Sequence, residues 1–396
     1  MGPGDGTRKR VAAPSGAYDP RIVKIGLDLH ILESPCPTGV ERAWRGLARA
    51  LLRSPGAGRL VLYSRDPVDL GVPLPPAAQP VALGGTERTS LWREMRLAPA
   101  LRQDGVDLLH SPVAAIPLRT HVPRVATVHE VPWIRHPGVE GRGREIAHRL
   151  RVRAAAHFAA MLVVPSESTR RDLAEIHPGA ADRTRVVPHG VDPIFLDPPP
   201  REGDAPFLRR FGLEGHRFVV AVGSGRARKG PDTLLRAFAA YRAEGGDRLL
   251  VVTGPGKPPA SPPAGVRWVG WVEDAALVAC YRNADALVYH TLNEGFGLPL
   301  LEAMALGVPV VAASAGAVPE VAGDAALLVP PEDPQALAEA LGRAISDAPL
   351  RDRLAAAGPA RAGEFSWERA AEAVVAAWRE VVEGARARPA GASKRE

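Results

Sequence analysis

Residues 293–303 of the chain are Asn293-Glu294-Gly295-Phe296-Gly297-Leu298-Pro299-Leu300-Leu301-Glu302-Ala303. This stretch follows an apolar segment at 286–289 that predicts a buried strand, and it leads into an apolar segment at 300–306 that predicts a helix. A strand that passes through a glycine turn into a helix leaves backbone N–H groups free at the helix start, where the helix dipole is positive. The stretch therefore predicts an anion-binding site within an α/β fold.

Two carboxylates stand eight residues apart in this stretch. We expect Glu302 in the first turn of the helix, within reach of a ligand hydroxyl. We expect Glu294 at the end of the strand, because catalytic groups of open α/β sheets lie at the carboxyl ends of the strands. Both carboxylates are thus predicted to face whatever binds at the turn.

The composition of the 396-residue chain restricts the class of protein. With 46% hydrophobic residues and no apolar run long enough to cross a bilayer, the chain is predicted to be globular and long enough for two domains. Cys36 and Cys280 follow neither metal nor disulfide spacing, which favours a reducing cytoplasm. The net charge of +6 suits anionic lipid or nucleotide partners, whereas an aromatic content of 5%, not interleaved with basic residues, argues against nucleic acid.

Predicted strands and helices alternate along the chain in two successive arrays, a pattern that produces parallel, doubly wound sheets. The predicted strands lie at 21–28, 60–63, 108–109, 125–128 and 161–164 in the first array, and at 218–222, 249–253, 266–268, 286–290, 308–312 and 326–329 in the second. The predicted fold class is α/β, with two Rossmann-like domains facing a cleft. Its predicted divisions are a disordered tail at 1–20, a first domain at 21–196, a proline-rich linker at 197–206, a second domain at 207–364, a final helix at 365–383 and a frayed tail at 384–396.

A second anion site is predicted where the strand at 218–222 runs into a glycine turn. Glycines such as Gly223 let the backbone approach a phosphate, and Arg226 and Lys229 can neutralise its charge. The turn is neither a G-x-G-x-x-G motif, because position 228 is Arg, nor a Walker loop, because no Gly-Lys-Ser/Thr follows. We expect Arg228 to be solvated. A plain basic surface loop is the alternative interpretation of this segment.

The chain from Ile22 to Trp378 resembles the family-4 retaining glycosyltransferases, enzymes of the GT-B fold with an E-x7-E signature. The likeness covers Glu294 to Glu302 and continues through Gly307-Val308-Pro309-Val310-Val311. It implies that Glu302 binds the nucleotide ribose and that Glu294 faces the transferred sugar. It also implies that the N–H groups of Phe296, Gly297 and Leu298 hold sugar hydroxyls and phosphate, and that Arg226 and Lys229 bind the donor diphosphate. His290-Thr291 departs from the Pro-Ser often found in the family.

The resemblance also assigns roles in the first half, the acceptor domain. Gly39, in a glycine loop that opens a helix, is expected to approach the donor phosphate, with Arg42 as a second candidate. His129, at a predicted strand end, is expected to contact the transferred sugar, although Glu130 stands where the family often has Asp. Ser166 is expected to cap a helix, and His189 replaces a usual Asn.

A basic segment at 142–153 carries five Arg and one Glu. Since acceptors in this family are often lipid-linked, this segment is a candidate for contact with a membrane surface. A solvated basic helix is the alternative interpretation. We expect the protein in the cytoplasm, at the inner face of the membrane if that contact forms.

The predicted reaction is hexosyl transfer with retention from a nucleotide-diphosphate sugar to a glycan or lipid-linked acceptor in cell-surface polysaccharide synthesis. GDP-mannose is the favoured donor. No D-x-D motif occurs in the sequence, so we expect no metal and no other cofactor, and the protein would supply the positive field itself. Front-side attack is favoured over a covalent intermediate on Glu294. The alternatives are a GT-B phosphorylase or disaccharide synthase, and a non-catalytic sugar-nucleotide sensor.

Overall fold

A computed structural model describes residues 9–10, 23–223, 225–256, 261 and 263–387. Apart from Lys9 and Arg10, the tail predicted at 1–20 lies outside the described residues, as do Ser224 and the terminal residues 388–396. The described chain forms two α/β domains, each built on one largely parallel sheet. This confirms the predicted fold class.

The first domain contains an eight-stranded sheet in the order β1-β4-β3-β2-β5-β6-β7-β8. Seven strands run parallel, and the two-residue β1 pairs antiparallel with β4. The strands are β1 (Lys9–Arg10), β2 (Lys24–Asp28), β3 (Arg59–Ser64), β4 (Ala78–Ala82), β5 (Leu108–Ser111), β6 (Arg124–Thr127), β7 (Met161–Val164) and β8 (Thr184–Val186).

The second domain contains a six-stranded parallel sheet in the order β11-β10-β9-β12-β13-β14. Its strands are β9 (Phe218–Val222), β10 (Leu249–Thr253), β11 (Val266–Gly270), β12 (Leu287–Tyr289), β13 (Val310–Ala313) and β14 (Leu327–Val329). In each sheet the chain runs outward from a central strand, returns, and runs outward on the other side. The reversal points lie beside β2 and β9, and ligands of open α/β sheets bind at the carboxyl ends of strands there.

Helices cover the faces of both sheets. They are α1 (Gly39–Arg53), α2 (Thr89–Trp92), α3 (Ala98–Gln103), α4 (Arg142–Phe158), α5 (Glu167–Ile176), α6 (Pro193–Leu196), α7 (Asp204–Arg210), α8 (Pro231–Ala243), α9 (Asp274–Arg282), α10 (Leu298–Ala305), α11 (Val318–Ala322), α12 (Pro334–Ser346), α13 (Ala348–Ala362) and α14 (Trp367–Ala387). A π-helical turn at Arg93–Leu97 joins α2 to α3. Among these described helices, none has the length and apolarity that a bilayer span requires.

Local sequence explains where several helices begin. A capping box of Thr38 and Glu41 opens α1, and the Ser166 hydroxyl accepts a hydrogen bond from the Thr169 N–H at the start of α5, as expected. Proline at the first turn opens α8 and α12, where its missing N–H costs nothing. The segment predicted as the linker includes a 3-10 turn at Arg201–Gly203 and the first residues of α7.

The last helix, α14, returns to the first domain and packs on α1. Gly46 and Gly190 leave room for the Trp367 side chain and its backbone, since a Cβ at either glycine would collide with that residue. Further along α14, the indole Nε1 of Trp378 donates a hydrogen bond to Nδ1 of His110, 3.2 Å away. The helix extends to Ala387, beyond Glu383, where the sequence predicted fraying.

Candidate active site

A cavity lies in the cleft between the two domains. The structure brings the predicted site residues together around it. Those residues are Gly39, His129, Gly223, Arg226, Lys229, Glu294, Phe296, Gly297, Leu298 and Glu302. Because Gly39 and His129 belong to the first domain and the others to the second, the cavity is built by both.

The turn between β12 and α10 forms one wall of this cavity. Gly297 has φ +105, a backbone conformation that residues with a Cβ rarely adopt. It is the N-cap residue of α10, and no side chain forms a hydrogen bond with the N–H groups at the helix start. The N–H groups at the start of α10 are therefore free of a side-chain cap, and the helix dipole adds to their positive potential. This wall suits a negatively charged group.

Glu302 lies deeper in the helix than the sequence suggested. Since α10 begins at Leu298 and not near 300, Glu302 falls in the second turn, and the expectation of a first-turn position is wrong. The residue is only 3% exposed, and one carboxylate oxygen accepts a hydrogen bond from the Tyr281 hydroxyl at 3.0 Å. The other oxygen pairs with Arg42 Nη2 of the first domain, also at 3.0 Å. Burial raises the pKa of Glu302, and the pairing with Arg42 opposes the rise without cancelling it.

Lys229 and Glu294 form a largely buried ion pair in the lining of the cavity. The Lys229 ammonium is bonded to the Glu294 carboxylate and donates to the Tyr289 hydroxyl at 2.7 Å. Tyr289 in turn donates to Glu294 at 2.7 Å. Burial by itself would raise the pKa of Glu294, but the charges of Lys229 and Arg228 outweigh it and lower that pKa to about 2. Glu294 is therefore a carboxylate at neutral pH.

Arg228 is a second residue for which the sequence-based expectation is wrong. It is only 9% exposed, so it is not a solvated side chain. Its guanidinium lies 3.1 Å from Glu130 and 3.5 Å from Glu140 of the first domain, and 3.6 Å from Glu294 of its own domain. Arg228 thus links the domains through carboxylates that are distant in sequence, a pairing that no local pattern signals.

The turn after β9 depends on glycines for close approach. Gly223 has φ +75, and a Cβ on Gly225 would lie 2.5 Å from the carbonyl oxygen of Pro255, so two loops meet there backbone to backbone. Arg226 follows in the same turn and lines the cavity. Among the described residues it forms no ion pair, which leaves its charge available to a ligand.

His129 contributes the first-domain side of the cavity. Burial lowers the pKa of His129 to about 4, so the ring is neutral at pH 7. Its Nε2 lies 2.8 Å from the Pro112 carbonyl oxygen. Because a carbonyl oxygen only accepts, Nε2 carries the proton and Nδ1 remains an acceptor. The His189 ring packs 5.5 Å from His129 and 4.9 Å from Phe296, between groups of the two domains.

Gly39 is not required by packing within the protein. A Cβ added there would meet no protein atom within 4 Å, and its φ lies outside the left-handed region. The residue opens α1 at the cavity wall. A glycine at this position is therefore explained by the space that it leaves for a ligand, and not by strain in the loop.

Direct contacts across the cleft hold the domains together. The Ser166 hydroxyl donates to the Gly295 carbonyl oxygen at 2.8 Å, and a Cβ on Gly295 would collide with the His129 carbonyl oxygen. The Glu320 carboxylate of the second domain accepts from the Glu167 and Ser168 N–H groups at the start of α5. The described conformation is thus one in which the second domain caps a helix of the first.

Comparisons with known proteins agree with this architecture. The family description Glycosyltransferase Family 4 matches residues 37–195, and Glycosyl transferases group 1 matches residues 208–361. A D-inositol 3-phosphate glycosyltransferase of Acidothermus cellulolyticus is 31% identical over 72% of this chain and 70% of its own. The O-antigen chain mannosyltransferase B of Escherichia coli is 27% identical over 71% of this chain and 76% of its own.

Among solved structures, a sucrose-phosphate synthase from Thermosynechococcus elongatus is similar, with a TM-score of 0.70 at 20% identity, covering 91% of this chain and 100% of the other. That likeness concerns the fold, whereas the two sequence matches together span both domains. The chain belongs to the family-4 glycosyltransferases of the GT-B fold.

Proposed function

We propose that this glycosyltransferase moves a hexose from a nucleoside-diphosphate sugar to a glycan or lipid-linked acceptor, with retention and without a metal or other cofactor. The observation that carries the proposal is the arrangement of Lys229, Glu294 and the open start of α10 around one cavity. A buried ammonium beside uncapped N–H groups is suited to the charge of a diphosphate.

In this proposal the donor lies along the second-domain wall. Glu302 accepts hydrogen bonds from the ribose hydroxyls, and Arg226 and Lys229 bind the diphosphate. The N–H groups of Phe296, Gly297 and Leu298 hold phosphate and sugar hydroxyls. Arg42 is already paired with Glu302, so it lies beside the bound ribose and contributes further positive charge.

The chemistry follows from where charge develops. As the bond from the sugar C1 to the diphosphate breaks, negative charge grows on the leaving oxygen, and the cations and helix start stabilise it. That oxygen can accept the proton of the attacking hydroxyl on the same face of the sugar, which preserves the anomeric configuration. No metal is needed if the protein supplies this field.

Glu294 is better suited to stabilise positive charge on the sugar than to attack it. A carboxylate with a pKa of about 2, held by Lys229, Tyr289 and Arg228, is a weak base with its oxygens already engaged. Neutral His129 offers Nδ1 to accept a hydrogen bond from a sugar hydroxyl. These properties favour front-side transfer over a covalent glycosyl-enzyme.

Mannose, with GDP-mannose as its donor, is the sugar that we favour. The similarity to a mannosyltransferase of polysaccharide assembly supports this choice and the role in cell-surface polysaccharide synthesis. The similar D-inositol 3-phosphate glycosyltransferase supports a smaller acceptor instead.

We further propose that α4 brings the protein to the cytoplasmic face of the membrane. Ile146 and Leu150 on this helix are 57% and 62% exposed, and arginines surround them. Apolar side chains flanked by cations suit an anionic lipid surface. Replacing Ile146 and Leu150 with Asp should abolish co-sedimentation with anionic vesicles. Replacing the exposed Leu328 of the second domain with Asp is the control and should leave co-sedimentation unchanged. Equal binding of vesicles by both variants would refute the membrane contact.

Turnover of GDP-mannose, UDP-glucose and ADP-glucose with EDTA present tests the proposed reaction. We expect transfer or slow hydrolysis from one donor, with the released sugar initially in the donor's anomeric configuration by NMR. Turnover that requires inorganic phosphate or a sugar phosphate in place of a nucleotide sugar would indicate the phosphorylase alternative. Donor binding with neither transfer nor hydrolysis, and unaffected function in Glu294→Ala, would indicate a sensor.

A further inference from the structure

The turn that carries Arg228 and Lys229 is bound by the segment that follows β12. It is a 3-10 turn at Ala227–Lys229, between β9 and α8. The Leu292 N–H donates a hydrogen bond to the Arg228 carbonyl oxygen at 2.9 Å, and the Thr291 hydroxyl donates to the same oxygen at 3.4 Å. The backbone of the turn is thus fixed to the strand end that leads into α10.

His290 binds the next carbonyl oxygen of the turn, that of Lys229. Its Nδ1 lies 2.9 Å from this oxygen, and because a carbonyl oxygen only accepts, Nδ1 carries the proton. Burial lowers the pKa of His290, so the ring is neutral at pH 7. The residue is only 2% exposed, which shields the bond from solvent. Proline, which the family often has at this position, carries no side-chain donor for such a bond.

Gly230, directly after Lys229, leaves room for the imidazole ring. Its φ is +54, and a Cβ there would lie 2.4 Å from Cε1 and 2.6 Å from Nδ1 of His290. Contacts this short are sterically forbidden, so a side chain at position 230 would push the ring away from the Lys229 carbonyl oxygen. The glycine is therefore what allows the histidine to form its bond.

Adjacent residues at the end of β12 hold both ends of Lys229. The Tyr289 hydroxyl accepts a hydrogen bond from the ammonium at 2.7 Å, and His290 binds the backbone carbonyl oxygen. Because the four-carbon stem of lysine is flexible, the ammonium has a defined position only when the backbone from which the stem starts is also fixed. The bond from His290 supplies that second constraint.

We propose that His290 is a positioning residue of the donor site, because its bond to the Lys229 carbonyl oxygen fixes where the ammonium meets the diphosphate. This rests on the proposed function, in which Lys229 binds that group. Within the described chain His290 is not part of the cavity lining, so it acts through Lys229 and does not touch the donor. Without the imidazole donor the carbonyl oxygen is buried and unpartnered, and the turn shifts to recover a partner. The loss then falls on binding of the diphosphate, while binding of the nucleoside is spared.

Three substitutions of His290 separate the hydrogen bond from the space that the ring fills. His290→Phe keeps a ring and removes the donor. His290→Asn keeps an N–H donor at the position of Nδ1, whereas His290→Gln carries its amide one bond further from the backbone, at the position of Nε2. His216→Phe is the matched control, since His216 is exposed in the same domain and outside the described cavity lining.

Affinities of GDP, UDP and ADP are measured by calorimetry on the full chain, and those of the matching nucleosides by ligand-observed NMR. For the nucleotide family that binds, we expect His290→Phe and His290→Gln to weaken diphosphate binding about tenfold, the effect of one lost hydrogen bond to a charged group. Nucleoside binding should change less than about twofold, since its contacts lie elsewhere in the cavity. His290→Asn should bind the diphosphate within about threefold of wild type because it keeps the donor, and His216→Phe should match the wild type.

The outcomes that would overturn the inference differ from failure of the donor site. Diphosphate binding that is unchanged in His290→Phe would overturn it, and so would an equal loss of diphosphate and nucleoside binding, because the bond would then support the fold and not the ammonium. A loss in His290→Asn as large as in His290→Phe would contradict the role of the bond. Absence of binding of every nucleoside diphosphate to the wild type would instead overturn the proposed donor site, and this inference with it.

A second measurement tests the position of the ammonium without any ligand. Burial by itself would raise the pKa of Glu294, and the charges of Lys229 and Arg228 lower it to about 2. If the ammonium moves, that pKa rises toward its ordinary value and less stability is lost at acid pH. In urea unfolding, the stability difference caused by Glu294→Gln should therefore change less between pH 7 and pH 3 in the His290→Phe background than in the wild type. An equal change in both backgrounds would show an unmoved ammonium and overturn the inference. If His290→Phe does not fold, His290→Gln takes its place in both measurements.

Discussion

Glu294→Gln tests the electrostatics of the active site through the pH dependence of stability. The carboxyl has a pKa of about 2 in the folded protein, against a reference value of 4.5. A pKa lowered by folding stabilises the folded state above the unfolded value and loses that contribution as the pH falls toward the folded value. The stabilising effect of Glu294 is therefore fully present at pH 7 and declines between about pH 4.5 and pH 2.

The magnitude follows from the two pKa values. Each pKa unit is worth about 1.4 kcal/mol, so ionised Glu294 contributes on the order of 3 kcal/mol at pH 7 relative to its protonated form. By the same relation, roughly 2 kcal/mol of that contribution is lost on going to pH 3. Glutamine has no charge to lose, so the free-energy difference between wild type and Glu294→Gln should shrink by roughly 2 kcal/mol over this range.

The assay is urea unfolding followed by tryptophan fluorescence at pH 7 and pH 3, on wild type and variant. Titration of other carboxyls, including Glu302, occurs in both proteins and largely cancels in the difference. Glu372→Gln, on the exposed side of α14, is the control and should show a difference near zero at both pH values. A difference between wild type and Glu294→Gln that does not change with pH would refute the assigned ion pair.

Two further predictions concern the cradle and the packing of α14. Lys229→Met should lower kcat/KM by roughly 10²–10³-fold, because removal of one donor to a developing oxyanion has an effect of this size. A decrease of less than threefold in steady-state kinetics would contradict the role of Lys229 in binding the diphosphate. Gly190→Ala should destabilise the fold by about 1–3 kcal/mol because a Cβ there collides with the Trp367 backbone. Gly342→Ala, inside α12 with no atom within 4 Å of the added Cβ, should instead stabilise by about 0.5–1 kcal/mol; urea midpoints that rank the two variants in the opposite order would show that the packing account is wrong.

The second domain could be predicted closely from the sequence because its strands are continuous apolar runs. The strand predicted at 218–222 is β9, and that predicted at 249–253 is β10. Strands buried on both faces carry this signal without help from tertiary context.

Three strands of the first domain were missed. β1 is only two residues long and lies in the segment predicted as a tail, so no pattern is visible there. β4 contains Pro80, which has no backbone N–H to donate to a neighbouring strand, so the sequence of this segment favours a loop. In the sheet, Pro80 stands opposite Leu62 of β3. β8 is a three-residue edge strand that contains Arg185, too short and too polar for a pattern to be visible.

Some features of the site could be predicted from neighbouring residues in the sequence, whereas others depend on contacts between residues that are distant in the sequence. Gly297 and Lys229 could be predicted as site residues because each lies in a turn whose neighbouring residues indicate an anion-binding site. The pairs Arg42–Glu302 and Arg228–Glu130 could not, since each joins residues of different domains and forms only when the cleft is assembled. Sequence patterns thus identified the surfaces of the cavity but not the ion pairs that connect them.

Binding of a nucleoside diphosphate in the cleft can be measured with a thermal-shift panel of GDP, UDP, ADP and their common sugar conjugates. The panel is run with EDTA present on wild type, Lys229→Ala and Glu302→Ala. A ligand at ~100 times its Kd adds roughly 2.7 kcal/mol of stability. We expect a strong shift of the melting temperature with one nucleotide family in the wild type, and we expect both variants to lose it. No shift with any nucleotide, or a shift retained in both variants, would contradict the assignment of the cleft as a nucleoside-diphosphate site.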